Sequence, residues 1–353
     1  MHDSDATRLE DPGTEARLGF LMSRAAHGAD PDAAQLIETH MSWVVVAGER
    51  VLKMKKAVRY PFLDFSTPTL RERNCREELR LNRRLAPGVY LGLLALQWDE
   101  GRFALLPEER LPAAGTTIDW LVLMRRLPAE RMLDRVIAAG ALRADDIDPV
   151  IALLARFYRD AARTALGPDA YLARFRREQA INRTLLLQPR FAGLAAGPAL
   201  DRLDAAIEAG ADVLRRRVAG GHVVDGHGDL RPEHVCLNDP PVVIDCLEFS
   251  AELRQVDPFD ELAYLGLECA VAGAPWVTQR LLDGVAAALG ERPTDALIHL
   301  YTANRAALRA RLAVAHLVDP RPRTPDRWLP LGGRYLERAM AALDALDRAG
   351  DER

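Results

Sequence analysis

Cysteine is scarce, with four residues in 353, and Cys75, Cys236, Cys246 and Cys269 stand far apart with no CxxC pair among them. That spacing excludes a zinc ribbon or a redox dithiol and leaves buried thiols packing as small hydrophobes. Long apolar runs are also missing. "VIALLARF" is broken by Arg156, and nothing approaches the roughly 18 residues that a membrane-spanning helix needs. The start, "MHDSDATRLEDPGTEARLG", is polar and acidic and lacks the basic, then apolar, pattern of a secretory signal, so a cytoplasmic protein is expected. No charge of one sign dominates: 47 basic and 51 acidic residues leave a net charge of −4, which offers no basic field to nucleic acid or to a membrane. There is no internal repeat and no long low-complexity linker. The composition, 49% hydrophobic and 28% charged, is that of an ordinary globular chain long enough for two compact units or one bilobal fold.

The pattern of elements changes once along the chain. "TEARLGFLMSRAAHG" and "DPDAAQLIETH" read as two short leading helices, the second with an Asp30-Pro31 start signal. "MSWVVVAGERVLKMKKAV" alternates around Gly48-Glu49 and predicts a β-hairpin. A helix over 68–85 follows, with Thr67 as N-cap and Pro68 at its first position. A second hairpin is expected across Asp99-Glu100-Gly101, and "TIDWLVLMRRLP" is a further strand. Beyond Pro128 the apolar spacing is helical nearly to the end, "DPRPRTPDR" reading as a connection before a last helix in "GGRYLERAMAALDALDR". The expected architecture is α+β, with a small β-rich N-terminal lobe over 1–127 and a larger helical C-terminal lobe over 128–353.

One stretch interrupts those helices. "DGHGDLRPEHVCLNDPPVVIDCLEF", 225–249, gathers His227, Asp229, Arg231, Glu233 and His234 and then sets Asp245 behind an apolar strand. Phosphoryl transfer asks little covalent work of a protein; it asks for positioning and for positive charge around the transferred group. A lysine on a strand, a carboxylate to hold it, an aspartate for the acceptor hydroxyl and oxygen ligands for Mg²⁺ all have candidates here, in that order along the chain.

"HGDLRPEHV" followed by "VVIDCLEF" resembles the aminoglycoside phosphotransferase branch of the protein-kinase-like superfamily. "ETHMSWVVVAGERVLKMKK", "PFLDFST" and "LRLNRRLAPGVYLG" are similar to a bacterial group of aminoglycoside-phosphotransferase-like proteins often fused to a P-loop ATPase domain. The likeness runs from about Glu38 to His316. It implies a bilobal kinase fold, ATP as donor with GTP as the alternative, Mg²⁺ with Mn²⁺ as the alternative, and a small-molecule hydroxyl acceptor. Asp229 matches the catalytic-loop aspartate, and Asp245 the metal-binding aspartate. Lys53 matches the strand lysine on the donor phosphates, although Lys55 shares its face by the two-residue strand period. Glu78 is the partner expected for that lysine, with Glu77 as the other choice. Arg231 would face the γ-phosphoryl group, His227 would buttress the loop, and Glu248 would lie behind the site or against the acceptor. Met124, in the strand "TIDWLVLMRRLP", is placed at the nucleotide.

Two departures stand out. Position 234 should be asparagine, an oxygen ligand to a second Mg²⁺; His234 is a softer nitrogen ligand that suits Zn²⁺, Fe or Mn²⁺ better. No G-x-G-x-x-G covers the phosphates, so Thr39, Ser42 and backbone amides of "IETHMSW" take that task. G-x-x-x-x-G-K-[ST] is missing too, so a P-loop ATPase would be a separate partner. Competing expectations are a metallohydrolase built on His222, His227, Asp229 and His234, and a pseudokinase-like module that binds nucleotide or a partner without turnover. Arg305 and Arg309 share a helix face by four-residue spacing. They would meet an anionic acceptor, or else solvent.

Overall fold

The computed structural model describes residues 12–27, 34–60 and 63–351. The chain forms two compact units, one of residues 1–128 with 248–250 and one of 129–247 with 251–353.

The first unit is built on a six-stranded antiparallel sheet. In chain order its elements are α1 (Gly13–Leu21), α2 (Arg24–His27), β1 (Gln35–Glu38), β2 (Ser42–Ala47), β3 (Arg50–Lys55), the small pair β4 (Arg59–Tyr60) and β5 (Leu63–Asp64), α3 (Pro68–Asn82), β6 (Tyr90–Asp99), β7 (Arg102–Pro107) and β8 (Thr116–Arg125). The sheet order is β1-β2-β3-β8-β6-β7. Two-residue turns close both hairpins, and Gly48, Glu100 and Gly101 all take positive φ, as such turns require. Thr67 caps α3 by accepting from the Leu70 amide, with Pro68 in the first turn.

Alternation along β3 sorts the two faces. Leu52 and Met54 pack with Val45, Leu96, Leu121 and Leu21 of α1 into one apolar core. Lys53 and Lys55 point to the opposite face, toward α3. Lys53 is paired with Val122 in register, so Val122 and Met124 share that lysine face, and Met124 is buried there.

The second leading helix does not form where it is described. Gln35–Glu38 is instead an edge strand, paired Gln35↔Val46 through Glu38↔Trp43, and all four residues are exposed. Its short apolar pair, Leu36-Ile37, fits either period over four residues, and pairing with β2 decides the matter. The Asp30-Pro31 signal lies outside the described residues.

The second unit is helical, with short strands only around 224–256. It comprises α4 (Leu133–Ala138), α5 (Ala144–Asp160), α6 (Pro168–Leu186), α7 (Gly197–Ala209), α8 (Ala211–Ala219), β9 (Val224–Asp225), β10 (Val235–Cys236), β11 (Val242–Val243), α9 (Ala251–Arg254), β12 (Gln255–Val256), α10 (Pro258–Ala272), α11 (Trp276–Leu289), α12 (Asp295–Ala315) and α13 (Pro325–Asp351). Helix α10 is buried along its length from Pro258 to Cys269 and packs against α11 and α12, the place of a helix apolar on most sides. Helices α7 and α8 follow one another and divide at Gly210, where a Cβ would stand 2.8 Å from Leu300 Cδ2. The last helix starts at Pro325, earlier than its apolar spacing indicated, because proline at the first position suits a helix N-terminus. Among the described residues no helix is long and apolar enough to cross a membrane.

Candidate active site

Two antiparallel pairs, β9 with β12 and β10 with β11, frame the loop 226–234 and deliver Asp245 just past β11. The loop is fastened from below by α10. Glu261 is fully buried, and its Oε2 accepts from the His227 amide at 3.1 Å and from the Tyr158 hydroxyl at 3.0 Å, while its Oε1 accepts from the Gly228 amide. Burial pushes the Glu261 carboxyl up despite these donors. Gly226 must be glycine for this grip: a Cβ there would stand 2.5 Å from Val256 Cγ2 and 2.7 Å from Glu261 Oε2. Gly226→Ala is expected to lower stability by about 1–3 kcal/mol, the usual cost of overpacking. Urea unfolding checks it, with an unchanged midpoint as the contrary result.

His227 is buried and its tautomer is fixed. The Asp229 amide donates to Nδ1 at 3.2 Å, so Nε2 carries the hydrogen and donates to the Ile244 carbonyl at 2.9 Å. Burial, with the nearby His234 ring second, lowers its pKa to about 4, so the ring is neutral at pH 7. Both ring nitrogens are used within the fold, which removes His227 as a metal ligand. His222 is also engaged elsewhere, 2.8 Å from Glu291. Those two observations undo the donor set of the metallohydrolase expectation.

Asp229 lies at the centre. Arg231 grips it as a fork, Nε to Oδ1 at 2.9 Å and Nη2 to Oδ2 at 2.8 Å, and the Tyr264 hydroxyl donates to Oδ1 at 3.2 Å. Burial works against the charged carboxylate, but the charges of Arg231 and His234 outweigh it and hold Asp229 below the ordinary range. The guanidinium expected at a phosphate therefore clamps the Asp229 carboxylate, with its Nη1 on Glu233.

His234 is buried and donates from Nδ1 to the Asp229 carbonyl at 2.8 Å, and its Nε2 lies 3.5 Å from Arg231 Nη2 and 3.6 Å from Asp245 Oδ2. Asp245 is 47% exposed at its side chain and holds φ of 64°, a left-handed conformation uncommon outside glycine. Asp229, His234 and Asp245 are thus brought together within the helical unit.

The lysines form a second cluster, within the sheet unit. Lys53 Nζ is 2.8 Å from Glu78 Oε1 and Lys55 Nζ is 2.7 Å from Glu78 Oε2; Lys55 also meets Glu248. Burial works to lower the Lys55 pKa, but the Glu248 and Glu78 carboxylates hold it above the ordinary value. Glu77 points away and pairs with Arg80 at 2.7 Å. Thr39 and Ser42 form the turn between β1 and β2, not a segment ahead of the first strand. The Thr39 hydroxyl accepts from the Ser42 amide at 2.9 Å and donates to its carbonyl at 3.0 Å.

Arg305 and Arg309 do not reach solvent as free charges. Arg305 is bidentate to Asp260, at 2.7 Å twice, and Arg309 to Glu268 at 2.9 and 3.2 Å. Arg305 also covers the Tyr264 ring at 5.0 Å. Glu261 and Tyr264, which hold the loop and its aspartate, were missed in the sequence. They lie three residues apart on a helix that reads as apolar, and only their burial among loop amides reveals them.

An antiparallel sheet bearing a carboxylate-braced lysine, followed by a helical unit with an aspartate loop, is the bilobal α+β fold of the protein kinases and their small-molecule relatives. Solved structures that share this fold with the chain include aminoglycoside phosphotransferases and choline/ethanolamine kinases. An aminoglycoside 2'-phosphotransferase-IIIa, solved as its GDP complex, superposes with a TM-score of 0.55 at 15% identity, over 93% of this chain and 98% of that one. A choline/ethanolamine kinase family protein from Mesorhizobium loti gives 0.50 at 14% identity, over 95% and 96%. An ethanolamine kinase from Plasmodium vivax gives 0.50 at 9%, over 93% and 85%. In sequence, the chain is 30% identical over 318 residues to uncharacterized proteins of Mycobacterium tuberculosis and Mycobacterium bovis. The match takes in 87% of this chain and 60% of theirs, so the chain spans about 60% of the length of those relatives. No protein-family model matches the chain.

Proposed function

We propose that the protein is a phosphotransferase that moves the γ-phosphoryl group of ATP, or of GTP, to a hydroxyl of a small molecule. The observation that carries this reading is the cluster in which Asp229 and Asp245 flank His234, the two carboxylates 3.9 and 3.6 Å from its ring nitrogens. Asp229 orients the acceptor hydroxyl and takes its proton as the new oxygen–phosphorus bond forms; the bond to the leaving nucleoside diphosphate breaks. Lys53 holds the donor phosphates, and Arg231, released from Asp229, offers its fork to the transferring group. Thr39, Ser42 and the β1–β2 turn lie over the phosphates, and Met124 lies on the same sheet face as Lys53, against the base.

The residues present fit a divalent cation. Asp245 is exposed, His234 Nε2 lies 3.6 Å from its Oδ2, and among the described residues no three His, Cys, Asp or Glu side chains enclose an ion by themselves. One carboxylate and one imidazole suit an ion that keeps waters and takes phosphate oxygens, Mg²⁺ through the carboxylate and Mn²⁺ through both, better than a closed structural site. When bound it neutralises phosphate charge. The acceptor is a hydroxyl compound of undefined charge, and nothing at the site singles out a polycationic aminoglycoside. A P-loop ATPase is proposed as a separate partner.

A second reading, a nucleotide- or partner-binding module without turnover, is favoured by the fork of Arg231 across both Asp229 oxygens. Thermal unfolding with ATP or GTP, each with Mg²⁺, Mn²⁺ or chelator, tests the nucleotide site. At 100 times the dissociation constant a ligand adds about 2.7 kcal/mol of stability. A metal-dependent rise in Tm that Asp245→Ala removes is expected; no rise under any combination overturns the phosphotransferase reading.

A further inference from the structure

The four charges of the lysine cluster are not equivalent. Lys53, Lys55, Glu78 and Glu248 balance as two cations and two anions, yet side-chain exposure is 15% for Lys53 against 1% for Lys55. Lys55 is enclosed by both carboxylates and by the Phe65 ring, 4.9 Å from its Nζ. A ligand phosphate can therefore meet Lys53, while Lys55 stays committed. Its second carboxylate comes from the three residues, 248–250, that belong to the sheet unit although the chain on both sides belongs to the helical one. Three residues upstream is Asp245, in its left-handed conformation. Such a backbone persists where both flanks are pinned. On the upstream side the Ile244 amide donates to the His234 carbonyl at 2.9 Å, and just downstream the Leu247 amide donates to the His227 carbonyl at 3.0 Å. The next anchor is the Glu248 side chain on Lys55.

We infer that Lys55 and Glu248 are positioning residues, whose buried ion pair fastens the segment after Asp245 to strand β3 and so sets the Asp245 carboxylate for its metal ion, leaving phosphate contact to Lys53. This rests on the nucleotide reading above. It separates two lysines that strand period alone makes equal, and it gives Glu248 a task apart from the acceptor.

The test uses the full chain as wild type, Glu248→Gln, Lys55→Met and Lys53→Met. Mg²⁺ and Mn²⁺ are titrated at fixed ATP and followed by thermal unfolding, with ATP in chelator alongside. Removing a residue that orients a metal ligand costs about 10–100-fold in metal affinity. Glu248→Gln and Lys55→Met should raise the half-saturating Mg²⁺ by about that factor while ATP in chelator binds as in wild type; Lys53→Met should weaken ATP in both conditions. Amide exchange at 245–250 should quicken in Glu248→Gln, whose near-isosteric amide keeps the fold. A Glu248→Gln protein with wild-type Mg²⁺ dependence and wild-type exchange at 245–250 overturns the positioning role alone. A wild type with no metal-dependent ATP response overturns the nucleotide reading and the metal role with it, while unchanged exchange in Glu248→Gln would overturn the anchoring as well.

Discussion

Asp229→Ala should lower turnover by roughly 10²–10⁴-fold, the range that a positioned acid or base contributes, and leave the nucleotide-dependent rise in Tm intact. The split follows from what Asp229 touches. Its carboxylate is held by Arg231 and Tyr264, and in the proposed reaction it serves the acceptor, while Lys53 serves the donor phosphates and Asp245 the metal ion. Burial opposes the charged form, but Arg231 and His234 lower the Asp229 pKa below the ordinary carboxylate range. A carboxylate so stabilised is a weak base, so its main work is orientation. Asp229→Asn, which keeps the shape but turns an N–H toward Arg231 or Tyr264, should lose almost as much as the alanine variant. The sign with pH is fixed too. A depressed pKa keeps Asp229 ionised as acid is added, so turnover should fall only below the ordinary carboxylate range, as the group is finally protonated. Replacing Tyr264 by Phe removes one donor to the charged form and should move that acid limb upward. The measurement is nucleoside diphosphate release and acceptor mass gain across a panel of hydroxyl compounds. An Asp229→Ala protein that turns over within a few-fold of an active wild type would show that the carboxylate has no part in transfer. No turnover in wild type, with nucleotide still bound, would favour the module without chemistry.

The two hairpins and α3 were legible because each carries its own local signal: Gly48-Glu49 and Glu100-Gly101 for the turns, Thr67-Pro68 for the cap. The loop 226–234 was legible because its residues repeat a known order. What escaped depends on depth or on distant pairing. Lys53 and Lys55 are equal by period two, and what distinguishes them is distant in sequence: Glu248, 193 residues beyond Lys55, with the Phe65 ring and the deeper burial of Lys55. Arg305 and Arg309 sit four apart as surface arginines do, and it is Asp260 and Glu268 on α10 that draw them inward. Leu36-Ile37 has no period of its own, and β2 makes it a strand. Arg231 illustrates the same limit in the site itself: its type and position suit a phosphate, but with Asp229 two residues away its guanidinium closes on the nearer anion.

Asp119→Ala should be the most destabilising single change in the sheet unit, by about 3–5 kcal/mol, the cost of leaving buried charge uncompensated. Asp119 lies on β8 almost wholly buried and joins two helices by charge. Arg71 of α3 reaches it through Nε at 2.7 Å and Nη2 at 3.1 Å, and Arg17 of α1 through Nη1 at 2.8 Å. Both arginines are themselves buried. Removing the aspartate therefore takes from Arg71 both of its bonds to a buried carboxylate, leaving its bond to the Phe65 carbonyl at 2.9 Å, and takes one close contact from Arg17. Arg17→Met should cost much less, because Asp119 retains the bidentate Arg71 and the Met side chain can lie along the same apolar core as Leu21. The Arg17 variant also separates charge from packing: if α1 were held by its leucine contacts alone, Arg17→Met would leave amide exchange in α1 unchanged. Urea unfolding followed by amide exchange in α1 and β8 distinguishes the cases. A loss under 1 kcal/mol for Asp119→Ala would mean that the arginines find solvent once released, and that the triad orders the helices around the sheet without stabilising them.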